Sequence, residues 1–495
     1  MTESRKLCLA FLAALLVSGS VRLSAQQAES PATDQVFAAF TKPGSPGCAL
    51  GVFRDGKIIY EKGYGLANLE QNVPITPQTV FDIGSTSKQF TAASILLLEK
   101  QGKLSVHDDI RKFVPEIPDY GTPVTILNLL NHTSGLRDYL TLFSLAGINL
   151  DGVTTDDDAF AIIARQKKLN FAPGSEYLYS NSGFFLLSVI VKRASGKSLR
   201  DFAQENIFTP LGMTHTQYRN DHASLIPNRA LAYSGREDRS YTLDVSYFEQ
   251  TGDGAVHTTI EDLQRWDENF YSAQVGGKEF LAEIQEPGKL TNGKSITYAK
   301  GLGIGEYRGL RAVSHAGAWG GYRAQLLRFP DQHFSVACLC NTGGADTTTL
   351  ARSVADVYLA SQMKPADSAG TAAAAPGPAS PSSGEAPKPG AAELASYAGD
   401  YWSDELRVTY RLAIEDSSLR LVGIIGADQV PRAVPVPHRE LLPSAADEFR
   451  LARPRWTFQF TRDAAHAITG FTLDAGRTLG MVFTRTGAAQ FGRQK

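Results

Sequence analysis

The alternation of apolar and polar residues predicts strands at the two ends of the first domain and helices between them. Near its start, apolar runs at residues 48–53 and 57–60 flank Arg54-Asp55-Gly56, a turn sequence typical of a β-hairpin. Near its end, apolar runs at residues 323–329 and 334–340 are joined by a short polar turn. Strands from both ends of one segment can join in a single sheet, so we predict an α+β fold rather than repeated βαβ units.

Three stretches between these strands carry apolar residues at helical spacing, namely residues 86–101, 156–166 and 184–194. Gly102 follows the first of them and Gly196 follows the last, and glycine is common just after a helix. We expect these helices to cover the sheet and to complete one compact domain over residues 26–362.

The composition changes sharply after this domain. Residues 363–392 are rich in Ala, Pro, Gly and Ser, which cannot build a packed core, so we predict an extended linker there. Residues 393–495 show short alternating runs, which predict a small all-β domain built as a barrel or a sandwich. The clearest run alternates Leu406, Val408, Tyr410, Leu412 and Ile414 with Arg407, Thr409, Arg411 and Ala413.

The first 25 residues have the pattern of a secretory signal peptide. Arg5 and Lys6 form a short basic start, residues 7–17 are apolar, and Leu23-Ser24-Ala25 offers small residues at the cleavage positions. A disordered cytosolic N-terminus is the alternative, although such a segment would rarely be this apolar. We therefore expect a periplasmic or secreted protein, without a transmembrane anchor in its mature form.

The charge balance excludes one class of partner. Lys and Arg total 49 against 51 Asp and Glu, which gives a net charge of -2 without a long basic run. Nucleic-acid binding needs clustered basic charge, so we predict no nucleic-acid partner.

Three cysteines follow the predicted signal peptide, Cys48, Cys338 and Cys340. Their spacing matches no zinc signature, and we predict neither a metal nor a cofactor. Cys338 and Cys340 should face one side of the sheet. All three are either small buried side chains, or Cys48 forms a disulfide with one of the other two.

Ser85-Thr86-Ser87-Lys88, at the start of the first predicted helix, is the leading candidate for nucleophilic chemistry. Residues three apart share one helix face, and a serine becomes nucleophilic when a neighbouring base takes its proton. Apolar surroundings can lower a lysine pKa enough for that role. The helix N-terminus also adds a positive potential and free N–H groups.

Ser361-Gln362-Met363-Lys364 repeats the Ser-x-x-Lys pattern. It enters the predicted linker, so it is not a candidate for the nucleophile.

Two downstream motifs complete a recognisable set. Tyr179-Ser180-Asn181 begins 94 residues after Ser85, and His315 in Ser314-His315-Ala316-Gly317 lies 136 residues after Tyr179. Together with the first motif they resemble the active-site motifs of the penicillin-recognising serine hydrolases, which include class C β-lactamases, DD-peptidases, esterases and D-aminopeptidases. The resemblance extends over residues 35–360 through Phe81-Asp82-Ile83-Gly84, Leu129-Leu130-Asn131-His132-Thr133-Ser134-Gly135-Leu136, Phe171-Ala172-Pro173-Gly174 and Pro210-Leu211-Gly212-Met213.

The resemblance implies a β-lactamase/DD-peptidase-like antiparallel sheet, flanked by helices and joined to a helical subdomain. It implies that Ser85 attacks a carbonyl carbon and forms an acyl-enzyme. Lys88 and Tyr179 would share the base role, since a nearby lysine cation eases loss of the tyrosine proton. Asn181 would orient the substrate amide or Lys88, and the amides of Ser85 and Ala318 would form the oxyanion hole.

The third motif departs from the class C β-lactamase pattern, which usually has lysine where this chain has His315. Histidine is charged only part of the time near its usual pKa of about 6.5, so His315 would bind a substrate carboxylate in a pH-dependent way. This argues against efficient β-lactam hydrolysis while allowing slow acylation by penicillins. Gly317 would keep the strand edge open, because a side chain there would block a substrate lying along it.

Three further features of the sequence accompany these motifs. His132 is expected to brace the turn at Thr133-Ser134-Gly135. Tyr218-Arg219-Asn220, a second Tyr-x-Asn, is expected to be a surface turn. The all-β domain, through Tyr397-Ala398-Gly399-Asp400-Tyr401, is similar to lipocalin-like modules appended to some family members. Such a module would bind a ligand, cover the active-site cleft or stabilise the fold.

The leading hypothesis is an exported serine hydrolase acting on peptide, amide, ester or β-lactam carbonyls. Its substrate would be a small molecule or a peptide, including peptides derived from peptidoglycan. One alternative is a true class C-type β-lactamase, and another is a receptor that binds penicillin or peptidoglycan fragments without turnover. Intact Ser85, Lys88 and Tyr179 favour catalysis, because a pure binder has no physical need for all three.

Overall fold

The computed structural model describes residues 30–238, 240–365, 389–428, 438–451 and 453–486. The predicted signal peptide at residues 1–25 lies outside these ranges, and so does most of the predicted linker at residues 363–392. In the described part of the chain, every helix is too short or too polar to cross a lipid bilayer.

The α-helices of the described residues are, in chain order, α1 (Pro31–Val36), α2 (Lys88–Lys100), α3 (Ile126–Leu130), α4 (Tyr139–Leu145), α5 (Asp156–Ala164), α6 (Asn181–Ser195), α7 (Leu199–Ala203), α8 (Ile260–Ser272), α9 (Lys278–Ile284), α10 (Thr347–Leu359) and α11 (Ala391–Tyr397). The strands of the N-terminal domain are β1 (Cys48–Arg54), β2 (Lys57–Tyr64), β3 (Leu66–Asn68), β4 (Val73–Pro74), β5 (Phe81–Asp82), β6 (Gln217–Tyr218), β7 (Tyr233–Gly235), β8 (Tyr241–Leu243), β9 (Val256–Thr258), β10 (Tyr298–Ala299), β11 (Leu302–Tyr307), β12 (Leu310–Trp319), β13 (Tyr322–Phe329) and β14 (Phe334–Cys340).

The main sheet is antiparallel and has seven strands in the order β10-β11-β12-β13-β14-β1-β2. The first hairpin, β1 and β2, therefore pairs with β14 from the far end of the domain. The predicted α+β arrangement, with one sheet built from both ends of the domain, is confirmed. A smaller sheet in the order β5-β9-β6 joins the segment before Ser85 to the segment after Asp253.

Two helix starts differ from the predicted ones for identifiable reasons. The helix predicted at residue 86 begins at Lys88, because Gly84–Ser87 form a 3-10 turn. The helix predicted at residue 184 begins at Asn181, where the Asp138 carboxylate accepts a 2.7 Å hydrogen bond from the backbone amide. That contact satisfies one of the amides that every helix leaves free at its N-terminus.

Both faces of the main sheet are covered. Along β1, Ala49 and Phe53 belong to the core cluster that includes α2, whereas Leu50 and Val52 belong to the cluster that includes α10. Successive residues of a strand point to opposite faces, so an uninterrupted apolar strand is what a sheet covered on both sides requires.

The cysteines resolve the alternatives left open by the sequence. Cys48 and Cys340 are opposite each other on β1 and β14 and form a disulfide, while Cys338 is a buried free thiol. The bridge therefore ties the first strand of the domain to its last.

The strands of the C-terminal domain are β15 (Gly399–Ser403), β16 (Val408–Glu415), β17 (Ser418–Gly426), β18 (Arg439–Glu440), β19 (Leu442–Ala445), β20 (Glu448–Leu451), β21 (Trp456–Arg462), β22 (Ile468–Ala475) and β23 (Thr478–Thr486). They form a nearly closed antiparallel barrel in the order β18-β17-β16-β15-β23-β22-β21-β20-β19. Buried aromatic rings occupy the interior, among them Tyr401, Tyr410, Phe458, Phe460, Phe471 and Phe483. Ile414, the last apolar residue of the alternating run, lies next to the end of β16 and is 40% exposed, whereas Leu412 is buried.

The barrel docks on the N-terminal domain through a buried ion pair. The Arg137 guanidinium lies 2.9 Å from Glu405 Oε1, with the two side chains 1% and 7% exposed. It also donates to the carbonyls of Leu479 and Gly480 on β23. From the barrel, the Tyr410 hydroxyl donates a 2.7 Å hydrogen bond to the Leu145 carbonyl of the N-terminal domain. Because each polar group is paired, this contact is specific as well as buried.

Replacing Arg137 by methionine should destabilise the protein strongly, because it leaves the Glu405 carboxylate buried without its partner. We expect the free energy of unfolding to fall by about 3–5 kcal/mol. The matched control is Arg193→Met, which breaks the exposed pair with Glu116 and should cost about 1 kcal/mol or less. Urea denaturation measures both variants, and equal losses would show that the docking contact contributes no more than a surface pair.

Candidate active site

Ser85 lies in the 3-10 turn between β5 and α2. Gly84, just before it, has a φ of 48°, and its amide donates a 2.8 Å hydrogen bond to Asp82 Oδ1. A Cβ at Gly84 would lie 2.7 Å from the Ala318 amide nitrogen. Glycine therefore permits both the left-handed backbone and the close approach of this turn to β12.

Lys88 begins α2 and is fully buried. Its Nζ lies 3.0 Å from Ser85 Oγ, 2.9 Å from Asn181 Oδ1 and 2.6 Å from the Asp253 carbonyl oxygen. The structure thus brings together three residues singled out in the sequence and adds the Asp253 backbone.

The environment of Lys88 favours its uncharged form. Burial lowers the pKa of Lys88 to about 7, and the Asp253 carboxylate opposes this effect. Burial also raises the pKa of Asp253 to about 6. The Asp253 carboxylate accepts a 3.1 Å hydrogen bond from the Tyr139 hydroxyl. Near neutral pH a substantial share of Lys88 is therefore an amine rather than an ammonium.

An uncharged lysine has two N–H donors and one lone pair. Asn181 Oδ1 and the Asp253 carbonyl oxygen can only accept, so they take both N–H groups of the neutral Lys88. The lone pair then faces Ser85 Oγ, which can donate its proton to it. The contacts of the buried amine orient it as a base toward the serine.

Tyr179 lies over the same group, with Lys88 Nζ 4.9 Å from the centre of its ring. Burial raises the pKa of Tyr179, and its interaction with Ser85 and the nearby Arg477 oppose this rise. That a lysine cation eases loss of the Tyr179 proton stays a prediction, whereas burial, the largest effect on this group, keeps the hydroxyl protonated. Tyr179 is accordingly a hydroxyl that can give a proton.

His132 lies against Tyr179 rather than bracing only its own turn. The two ring centres are 4.0 Å apart, and His132 Nδ1 accepts a 3.2 Å hydrogen bond from the Ser180 amide. Burial lowers the pKa of His132 well below its usual value, so the ring is neutral. Its contacts therefore support the backbone and ring of the second motif.

His315 is also neutral, contrary to the expected pH-dependent charge. Burial lowers its pKa to about 4, and Lys88 adds to the effect. Nδ1 lies 2.6 Å from the Ala316 carbonyl oxygen, which can only accept, so Nδ1 carries the proton. Nε2 then accepts from the Tyr298 hydroxyl at 3.0 Å. Both ring nitrogens of His315 therefore have a hydrogen-bond partner while the ring is uncharged.

Gly317 is required for a different steric reason from the predicted one. A Cβ at Gly317 would lie 1.9 Å from the Ile83 carbonyl oxygen, so it would strike the segment that carries Ser85 rather than a substrate. Ala318, the next residue, is exposed, and its amide nitrogen adjoins Gly84. The pairing of β11 with β12 ends at Ser314, which leaves the following edge of β12 open.

These side chains line a cavity of about 700 Å³ where the N-terminal domain meets the barrel. Its lining includes Ser85, Tyr179, Asn181, His315, Gly317 and Ala318, together with Arg477 from the barrel. Within the described residues, the groups of potential metal ligands lie elsewhere, at the disulfide and at the surface cluster Asp221, His222 and Glu249.

Several residues of this site were not found from the sequence. Asp253 contacts Lys88, Tyr298 contacts His315, and Tyr139 reaches the site through its hydrogen bond to Asp253. None of the three belongs to a motif, so folding alone brings them there. Tyr218-Arg219-Asn220, expected as a surface turn, instead begins with a fully buried Tyr218 on β6. The Tyr218 hydroxyl lies 2.8 Å from Thr91 Oγ1 of α2, and this hydrogen bond gives the buried hydroxyl the partner that it needs.

Comparison with known proteins shows which proteins this chain resembles. The family model described as Beta-lactamase matches residues 33–359. A penicillin-binding protein of Bacillus subtilis is 33% identical over 303 residues, which are 58% of this chain and 66% of that protein. A D-aminopeptidase of Brucella anthropi is 31% identical over 311 residues, which are 61% of this chain and 57% of that protein. The matches thus span about three fifths of these curated relatives.

Solved structures show the same fold. The octameric penicillin-binding protein homologue from Pyrococcus abyssi superposes with a TM-score of 0.59 at 21% identity, over 92% of this chain and 98% of that one. The D-amino acid amidase from Ochrobactrum anthropi superposes with a TM-score of 0.57 at 21% identity, over 67% and 99% of the two chains.

Replacing Gly317 by alanine should displace the Ser85 turn, because the added Cβ meets the Ile83 carbonyl. We expect a loss of about 1–3 kcal/mol in stability and about a 100-fold slower reaction of Ser85 with an acylating probe. Gly305→Ala is the matched control in the same sheet, where a Cβ would have nothing within 4 Å. Thermal unfolding and probe kinetics on both variants make the comparison. An unimpaired Gly317→Ala protein would refute the assigned steric role.

Proposed function

Since the chain belongs to the beta-lactamase family, we propose that it is a serine hydrolase that forms an acyl-enzyme on Ser85. The observation that carries this proposal is the buried Lys88 amine, 3.0 Å from Ser85 Oγ with its other two contacts made to carbonyl oxygens. A lysine with a lowered pKa in this position is the base that a serine nucleophile needs.

In the acylation step, Ser85 Oγ attacks the substrate carbonyl carbon and passes its proton to Lys88 Nζ. The carbonyl oxygen becomes an oxyanion, which accepts hydrogen bonds from the amides of Ser85 and Ala318. Gly84 supports this arrangement, because it lets the two backbone segments approach each other.

In the collapse of this intermediate, the bond to the leaving group breaks and the leaving nitrogen or oxygen needs a proton. The Tyr179 hydroxyl supplies it, since burial raises its pKa and keeps it protonated. The proton held by Lys88 then restores the tyrosine. In deacylation, water takes the place of the leaving group and attacks the acyl carbon, giving a proton to Tyr179 as Tyr179 passes its own proton to Lys88. Lys88 then returns a proton to Ser85 Oγ as the bond between the serine and the acyl group breaks.

The substrate class we propose is a small peptide or amide, with esters and β-lactams as slower acyl donors. Two observations support amides: relatives of this fold bear the names D-aminopeptidase and D-amino acid amidase, and the cavity of about 700 Å³ accommodates a short peptide. The neutral His315 does not favour an efficient class C-type β-lactamase, since it offers no cation for the β-lactam carboxylate.

We also propose that the protein acts in the periplasm or outside the cell on peptides that include peptidoglycan fragments. The Cys48–Cys340 disulfide supports this location, because disulfides form and persist in oxidising compartments.

The test of this function compares Ser85→Ala with Ser361→Ala, which alters the second Ser-x-x-Lys sequence. Each protein is incubated with a fluorescent penicillin, a chromogenic cephalosporin, a D-Ala-D-Ala peptide, a D-amino-acid amide and a short-chain ester. We expect Ser361→Ala to match the wild type and Ser85→Ala to lose labelling and at least about 10³-fold of hydrolysis.

The panel also separates the alternatives. Fastest turnover of the amide or peptide supports the proposal, whereas fastest turnover of the cephalosporin would make the protein a β-lactamase. Penicillin label retained for hours, without turnover of the other compounds, would make it a receptor. Full activity in Ser85→Ala would refute the assignment of the nucleophile.

A further inference from the structure

We propose that Arg477, contributed by the C-terminal barrel, binds a carboxylate on the leaving-group side of the substrate. This inference rests on the proposed function, because the leaving group is defined by the reaction at Ser85. It assigns to the barrel a direct part in substrate selection, beyond covering the cleft.

The position of Arg477 is fixed from the N-terminal domain. It lies in the turn between β22 and β23, and its carbonyl oxygen accepts hydrogen bonds from the Asp138 amide at 3.3 Å and from Asn170 Nδ2 at 3.0 Å. Asn170 Oδ1 also accepts a 2.9 Å hydrogen bond from the Leu479 amide. The turn is therefore held to the N-terminal domain at Arg477 itself and at Leu479, two residues further along.

The side chain of Arg477 enters the cleft. Its guanidinium carbon lies 4.6 Å from the centre of the Tyr179 ring, and its nearest anion is Asp138 Oδ2 at 3.8 Å. Asp138 Oδ2 already accepts the 2.7 Å hydrogen bond from the Asn181 amide. The Arg477 side chain is 44% exposed and donates no hydrogen bond within the described ranges of the chain. The paired N–H groups of its guanidinium are thus available to bind an anion.

The other cations of the cavity wall are engaged elsewhere. Arg219 donates to the carbonyls of Ser246 and His222. Arg323 donates to the carbonyls of Gly320 and Tyr322.

The third motif adds no charge, because His315 is neutral, and Lys88 must lose its proton to act as the base. Among the described residues lining the cavity, Arg477 is therefore the cation best placed for a substrate carboxylate.

The contact with Tyr179 decides which end of the substrate Arg477 reaches. Tyr179 gives its proton to the leaving group in the proposed reaction, so a group beside its ring lies on that side of the scissile bond. A carboxylate on the carbon next to the leaving nitrogen, as in a C-terminal amino acid, would meet the guanidinium. A substrate that ends in an uncharged amide would lack this contact.

The experiment measures recognition apart from turnover. Acetyl-D-Ala-D-Ala and its C-terminal amide are titrated by calorimetry into full-length Ser85→Ala protein, alone and combined with Arg477→Gln. We expect the acid to bind about 10- to 100-fold more tightly than the amide, and Arg477→Gln to bring this ratio close to one. Compared with Arg477→Gln, Arg477→Lys should restore part of the preference, since lysine keeps the positive charge but lacks the paired N–H donors of a guanidinium.

Arg455→Gln is the matched control, because Arg455 is an exposed arginine of the same barrel outside the cavity lining. It should leave the ratio unchanged. The inference is overturned if the acid shows no preference, if neither ligand binds, or if Arg477→Gln weakens both ligands equally.

Turnover is read separately with the wild type and with Arg477→Gln in an otherwise unaltered chain. A carboxylate preference that disappears in Arg477→Gln, while the wild type hydrolyses neither these two compounds nor any other of the panel above, would support Arg477 and refute the proposed function. If Arg477→Gln lowers kcat/KM for the acid and leaves that for the amide unchanged, the result supports both the carboxylate site and the proposed function.

Discussion

The burial of one lysine amine is the constraint on which the rest of this site depends. Lys88 has no exposed surface, so its charge is costly and its pKa is lowered. A buried amine also needs partners for its N–H groups, and Asn181 and the Asp253 backbone supply them. These two needs select a single orientation, in which the lone pair faces Ser85. Two elements bring these acceptors to Lys88: α6 carries Asn181, and the segment before β9 carries Asp253.

The motifs predict the chemistry of the site better than its electrostatics. Ser85, Lys88 and Tyr179 could be named because their residue types and spacing match a known pattern. The joining of both ends of the domain in one sheet followed from the apolar runs there. The neutrality of His315 and the raised pKa of Tyr179 could not be predicted, because burial depends on what packs around each group. The burial of Tyr218 was missed for the same reason, since its partner Thr91 lies on a distant helix.

The docking of the barrel likewise depends on contacts between residues that are far apart in the sequence. Its alternating strands were readable from the sequence, but its docking was not, since Arg137 and Glu405 pair across 268 positions of the chain. That contact lies one residue from Asp138, which accepts the Asn181 amide and approaches Arg477. Docking and catalysis therefore share a short stretch of backbone. A displaced barrel would disturb both the proposed carboxylate site and the start of α6.

The central claim is that Lys88, uncharged and aimed at Ser85, is the base. Its most direct measurement is the rate constant of acylation by penicillin between pH 5 and 9, in the wild type and in Asp253→Asn. Lys88 can accept a proton only above its pKa, so the wild-type rate should rise about tenfold per pH unit and level off near pH 7. Asp253 raises the pKa of Lys88, so Asp253→Asn should move the midpoint to lower pH. A rate that is constant from pH 5 to 8, or a midpoint unmoved in Asp253→Asn, would contradict the account.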